Sequence, residues 1–265
     1  LNENNSIFAF DEIVDQEVTP ELIFESVAFN DPLYILFSSG TTGVPKCIVH
    51  GVGGTLIQHK KEHTLHCDIK EGERVFYFST CGWMMWNWLI SSLASGATIM
   101  LYDGSPILKH NAGVLFDYAE QERINPSASH NLEALRMLLS TGSVLSPDCF
   151  DYVYQYVKEE ICLSSISGGT DIVSCFVLGS TILPVCRGEL QTRGLGLSVE
   201  VWNELGESVT GEKGELVCTS TFPSKPIMFW NDKNMDKYKS SYFERYPNVW
   251  CHGDYVKLME SGGMI

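Results

Sequence analysis

Residues 38–46 read Ser38-Ser39-Gly40-Thr41-Thr42-Gly43-Val44-Pro45-Lys46, the strongest chemical signal in the chain. Small residues let the main chain come close to an anion. Its N–H groups and the Ser/Thr hydroxyls can then donate to phosphate oxygens, and Lys46 adds a positive charge. The string is not a Walker A loop. Pro45 stands where that loop has its second Gly, and Cys47 where it has the Ser/Thr that reaches magnesium. No helix follows Lys46 directly, so the pattern is strand, loop, strand. An ordinary hairpin with a polar turn would account for Ser-Gly-Thr-Thr-Gly alone. The Pro-Lys ending between two apolar runs makes the whole string more specific.

Two further strings carry chemistry. Gly168-Gly169-Thr170-Asp171 follows an apolar run and places a hydroxyl and a carboxylate beside two glycines. His252-Gly253-Asp254 places a carboxylate in a tight turn, though an isolated Asp there is equally well a plain turn residue. His59, His63, His66 and Cys67 share one predicted helix. With Lys60 and Lys61 between them, they read as a solvated face rather than a zinc site. No G-x-S-x-G elbow occurs, so a hydrolase has no support.

These residues need elements to hold them. Leu33–Phe37 and Lys46–His50 read as short strands, with a helix from about Thr55 to Cys67. The uncharged stretch Val75–Tyr102 is long enough to span a membrane, but its polar residues break it up. It reads instead as a strand, a helix over Met84–Ala94, a Gly96 stop and a second strand, a buried β-α-β unit. A helix near Val114–Ile124, a strand at Leu135–Leu139 and a helix opened by Pro147 follow. Ile161–Ile166 and Ile172–Leu178 read as strands. Beyond Pro184 short runs separated by Gly recur, and Asn231–Ser241 reads as surface loop or short helix. The fold class is therefore α/β: mixed sheets with flanking helices, then a β-rich part. The expected division is an acidic segment over 1–32, an α/β core over 33–183 and a β-rich subdomain over 184–265.

Composition bounds the function. Hydrophobic residues make up 44% of the chain and aromatics 11%, which excludes a wholly disordered protein. The net charge of −15 argues against nucleic acid as a partner. Residues 1–45 hold no Lys or Arg and eight Asp/Glu, so about half of that charge lies outside the motifs. Nine Cys without a C-x-x-C pair, most of them in apolar runs, read as reduced, buried thiols of a cytosolic protein.

Taken together, the strings resemble the motifs of the adenylate-forming superfamily of acyl-CoA synthetases, luciferases and adenylation domains. Within it the similarity is to acetoacetyl-CoA synthetases. It is carried by Gly53-Gly54-Thr55-Leu56-Ile57-Gln58-His59, Gly82-Trp83-Met84-Met85-Trp86-Asn87-Trp88, Leu101-Tyr102-Asp103-Gly104-Ser105-Pro106, Gly214-Glu215-Leu216 and Phe229-Trp230-Asn231-Asp232. The resemblance implies ATP-dependent activation of acetoacetate to acetoacetyl-AMP, followed by transfer to CoA. It implies that Ser39, Gly40, Thr41, Thr42, Gly43 and Lys46 hold phosphates, and that Gly142 and Ser143 line the nucleotide. Gly168, Gly169 and Thr170 would lie near the α-phosphate. Asp171 would assist Mg2+, Asp254 would bind the ribose hydroxyls, and Trp83 would lie near the acyl pocket. Lys46, Thr170 and Asp171 are the expected catalytic groups. A ligase for another short acid, or a non-catalytic remnant that binds nucleotide or a partner protein, stays open.

The resemblance also implies departures. The start at Leu1 and the stop at Ile265 read as the ends of a fragment, without most of the family's N-terminal region and its C-terminal domain. A strand and helix expected in the family are missing where the chain runs through Arg123-Ile124-Asn125-Pro126. The expectation is a partly preserved fold and no turnover by this chain alone.

Overall fold

A computed structural model describes residues 21, 23–38, 45–110, 113–121 and 132–265. Ser39, Gly40, Thr41, Thr42 and Gly43 of the predicted phosphate loop lie outside the described residues, as do Arg123–Pro126.

The two strands flanking the loop form as predicted. β1 (Pro32–Ser38) pairs antiparallel with β2 (Lys46–Gly51), and Ser38 faces Lys46 at the loop end of the ladder. β2 is central because β12 (Met228–Phe229) covers its other edge. Ile48, Val49 and His50 are consequently buried, whereas Leu33, Ile35 and Phe37 of β1 stay exposed on one face. α1 (Val52–Lys61) leaves β2 without a break and runs on through a wider turn over Glu62–His66.

The expected β-α-β unit is present. β3 (Arg74–Phe76) and β4 (Thr98–Met100) are parallel, joined through α2 (Met84–Ser91). Trp88 and Leu89 of α2 are buried, and the connection ends on Gly96 at φ 72°, a left-handed position that favours glycine. Among the described residues no helix is long and apolar enough to cross a membrane.

α3 (Val114–Gln121) follows, and its Tyr118 packs edge-on against Phe76 of β3. A second parallel pair comprises β5 (Met137–Ser140) and β6 (Cys162–Ser165), linked through α4 (Pro147–Tyr152) and a turn to Val157. Phe150, Val153 and Val157 are buried on one face and pack on Leu163. Among the described residues each parallel pair stands as its own two-stranded sheet. Every residue of β5 is only half-buried, although a strand inside a doubly covered parallel sheet buries both faces.

From here the chain turns antiparallel. β7 (Ser167–Gly169) and β8 (Ser174–Leu178) make a hairpin with Thr170–Val173 at its tip, and β9 (Thr192–Arg193) adds to β8. β10 (Val199–Trp202), β11 (Lys213–Cys218) and β13 (Trp250–Lys257) form the third antiparallel sheet. α5 (Asp236–Phe243) begins in the segment predicted as loop or short helix and runs two residues past its end. It is not a surface feature throughout, because Tyr238 and Tyr242 are buried among Phe229 and Trp250. One apolar cluster, with Ile48, Phe176, Val201, Leu216, Tyr242 and Trp250, joins these antiparallel elements.

Two sequence readings change. His59, His63 and His66 are not on a solvated face; all three are buried against β8 and α2. Of the nine cysteines, all free, three are buried, four half-buried and two exposed, so thiol burial is less general than the apolar runs suggest.

Candidate functional site

The tip of the β7–β8 hairpin positions Thr170 and Asp171. Gly169 sits close to its neighbours: a Cβ would lie 3.3 Å from His252 Cε1 and 3.4 Å from Asp171 Oδ2, so either side chain would have to give by a few tenths of an ångström. The His50 ring fixes the tip from below. Its Nε2 bonds to the Thr170 carbonyl at 2.8 Å, so that nitrogen carries the proton. His59 Nε2 holds the Val173 carbonyl at 2.5 Å. Val173 takes φ 48°, a strained conformation for a β-branched residue.

Lys46 opens β2 and reaches across to this tip. Its ammonium lies 2.7 Å from Asp171 Oδ1, and the Tyr242 hydroxyl donates to the same oxygen at 2.5 Å. Burial pushes the Asp171 carboxyl up, but Lys46 and Tyr242 outweigh it and hold the group below the usual carboxylate range. Burial and the neighbouring Asp171 push the Tyr242 phenol far up, so it stays a donor.

The third string closes on the same place. His252, on β13 with its ring packed edge-on against Phe176, sets its Nε2 3.6 Å from Asp254 Oδ2. Burial holds the His252 imidazole below its ordinary value. Glu215 shapes the turn: it accepts the Gly253 N–H at 2.6 Å while paired to Arg245 at 2.7 Å. Asp254 is half exposed at its rim. Gly142 and Ser143 follow β5, where Thr141 Oγ1 donates to the Ile166 carbonyl at the end of β6. Trp83 is 69% exposed at the start of α2.

Lys46, Gly169, Thr170, Asp171 and Asp254 therefore meet, with His252 between the two carboxylates. Tyr242, His50 and the role of Glu215 escaped sequence reading. Glu215 lay in a noted string, whereas nothing local marks Tyr242. Among the described residues no cluster of three His, Cys, Asp or Glu could hold a metal. The donor set suits a hard cation that takes one carboxylate and draws its remaining oxygens from phosphate and water, as magnesium does.

Behind the hairpin lies a buried polar network. Glu62 is fully buried and accepts from Gln58, Ser174 and Trp88 Nε1, with Lys61 Nζ 3.6 Å away. Burial lowers His50 and His63 to about 4 and also lowers His59 and His66. At His50 and His63 the unfolded chain takes up its protons near pH 6.5 and the folded chain only near 4. Stability is thus full above pH 6.5 and falls as the pH drops from 6.5 towards 4. Urea unfolding at pH 7.5 and 5 should differ by about 2 kcal/mol for each of His50 and His63. Equal stabilities would refute this.

Residues 6–225 match the model of the family described as "AMP-binding enzyme". The chain belongs to the AMP-binding enzyme family. Within this family it is 57% identical to the acetoacetyl-coenzyme A synthetase of Rhizobium meliloti (strain 1021), over 92% of this chain and 40% of that protein. It is 46% identical to the acetoacetyl-CoA synthetase of Gallus gallus, over 98% of this chain and 42% of that one. The solved structure of acetoacetyl-CoA synthetase from Streptomyces lividans superposes with a TM-score of 0.85 at 39% identity, covering 94% of this chain and 42% of the other. The mixed α/β fold expected from the sequence is thus the fold of that enzyme. The chain spans about two-fifths of the length of the relatives it matches. The chicken alignment runs over 282 residues, longer than this chain, so that relative carries internal residues missing here.

Proposed function

We propose that the chain is the nucleotide-binding core of an acetoacetate–CoA ligase. In the first step an acetoacetate carboxylate oxygen attacks the α-phosphorus of ATP. The bond to the β-phosphate breaks, giving acetoacetyl-AMP and pyrophosphate. In the second step the CoA thiolate attacks the acyl carbon, and AMP leaves with the oxygen that had bridged to it. Both steps bring anions together, so the protein's work is alignment and charge neutralisation.

One observation carries this reading: Lys46 and Asp171, 125 residues apart, meet at 2.7 Å beside the His252–Asp254 turn. A cation for phosphate, an acid for a metal and an acid for ribose hydroxyls thus share one surface. Lys46, with Ser39, Gly40, Thr41, Thr42 and Gly43, would hold the β- and γ-phosphates. Thr170, after Gly168 and Gly169, would stand at the α-phosphate. Asp254 would accept both ribose hydroxyls, Gly142 and Ser143 would face the nucleotide, and Trp83 the acyl group. Asp171 would hold Mg2+, which supplies neutralisation of phosphate charge when bound. The nine free thiols support a reducing, cytosolic setting.

The test is calorimetric titration of this chain with Mg·ATP and with sulfamoyl-adenosine analogues of acyl adenylates. Saturable binding is expected, with the acetoacetyl analogue at least about tenfold tighter than the acetyl and butyryl ones, a difference of about 1.4 kcal/mol. No binding of Mg·ATP or of any analogue would overturn the reading.

A further inference from the structure

Asp171 gathers two donors on one oxygen. Oδ1 accepts from Lys46 at 2.7 Å and from Tyr242 at 2.5 Å. No donor from the described residues reaches Oδ2, which lies on the Gly169 side. The two donors differ in freedom. Lys46 sits on a flexible four-carbon stem and is 30% exposed. Tyr242 is 1% exposed, stacked on Trp250 at 3.8 Å with 15° between the rings, and edged by Phe229, Tyr238 and Phe243. Its hydroxyl is therefore at a fixed point. The Lys46 ammonium also lies 4.7 Å from the centroid of the Tyr242 ring.

The Lys46 ammonium has three N–H donors, but a phosphate that draws it outward weakens its 2.7 Å hold on Asp171. When it leaves, a largely buried carboxylate oxygen loses its charged partner, which is costly unless another donor remains. We propose that Tyr242 is a positioning residue of the nucleotide site: its hydroxyl keeps Oδ1 of Asp171 partnered while Lys46 moves to phosphate, and so keeps Oδ2 turned towards the accompanying cation. A hydroxyl bound to a carboxylate is a strong, charge-assisted hydrogen bond, suited to locking the plane of the carboxylate. This rests on the proposed reading of Lys46 and Asp171.

Tyr242→Phe tests it, because the ring, its stack on Trp250 and the ring's contact with Lys46 persist, while the hydroxyl goes and with it the long 3.5 Å bond it accepts from Lys46. Wild-type and variant chains are titrated with ATP by calorimetry, with and without Mg2+. Mn2+ serves as a spectroscopic probe of the bound cation. Affinity for Mg·ATP should fall about tenfold and that for metal-free ATP about threefold, because both ligands draw Lys46 away but only the first also needs Oδ2 held, and the Mn2+ resonance at saturating ATP should broaden. Trp250→Phe, which loosens the ring but keeps the hydroxyl, should give a smaller, likewise metal-dependent loss. Equal losses with and without metal, or none, would overturn the role of Tyr242. A wild-type chain that binds no Mg·ATP would instead overturn the reading of the site, and the proposal with it.

Discussion

Asp171→Asn should lower the affinity for Mg·ATP about a hundredfold and raise that for metal-free ATP about threefold. The two effects separate because the carboxylate does opposite things to the two ligands. On the proposed reading, for Mg·ATP it would be the one acidic ligand the hairpin tip offers, and an amide is a poor substitute for a hard cation. For metal-free ATP it is a negative charge beside a polyphosphate. It also occupies Lys46 at 2.7 Å, and its neutralisation releases that ammonium. Asn keeps the volume and an oxygen for the Tyr242 hydroxyl. The fold should survive with a loss of about 1 kcal/mol, since Lys46 is partly exposed. Calorimetry with both ligands at matched ionic strength, with a thermal melt as control, measures all three quantities. Parallel losses for the two ligands would mean that Asp171 is only structural.

Gly168→Ala should be the most damaging small substitution near the site. A Cβ on Gly168 would stand 2.1 Å from the Ser174 carbonyl oxygen and 2.4 Å from Cys175 Cα. Both are main-chain atoms of the neighbouring strand, so no rotamer change relieves the clash. β8 cannot retreat, because all five of its residues are buried and it is also paired to β9. The hairpin must open or shift, at a cost of about 3 kcal/mol or more. The tip with Thr170 and Asp171 would move with it. Gly82→Ala is the control: its nearest heavy atom is 3.8 Å away and its φ is not positive. A thermal melt should separate the two variants by about 10 °C for a chain of this size. Indistinguishable melts would show that the hairpin yields more readily than its burial implies.

The gathering of the proposed site was legible where residue type alone is restrictive. A lysine after a Gly/Thr string, and aspartates after glycines, advertise anion and cation binding, and the structure draws Lys46, Asp171 and Asp254 together. The β-α-β unit over residues 74–100 was legible for a similar reason, since an uncharged run broken by Gly96 leaves few alternatives. Roles that depend on a distant approach were not legible. Tyr242 reaches Asp171 across 71 residues of sequence, and His50 reaches Thr170 across 120. No local spacing encodes either contact. The histidines at 59, 63 and 66 were misassigned by type. Their spacing marks one helix face, and polar side chains suggested solvent. Buried acceptors, the Val173 and Gly179 carbonyls, bring that face inside instead.

The stack of Tyr242 on Trp250 also gives the site an optical gauge. The Trp250 indole N–H has no partner among the described residues, and the ring is buried in an aromatic wall. Its emission is expected at the blue edge of the tryptophan spectrum, together with that of the equally buried Trp88. The exposed Trp83 and Trp230 emit towards the red. A shift of α5 against β13, one ring away from the Lys46–Asp171 couple, changes the quenching of that blue-edge light. If the nucleotide of the proposed reading moves α5, its arrival can be timed by intrinsic fluorescence, without a label.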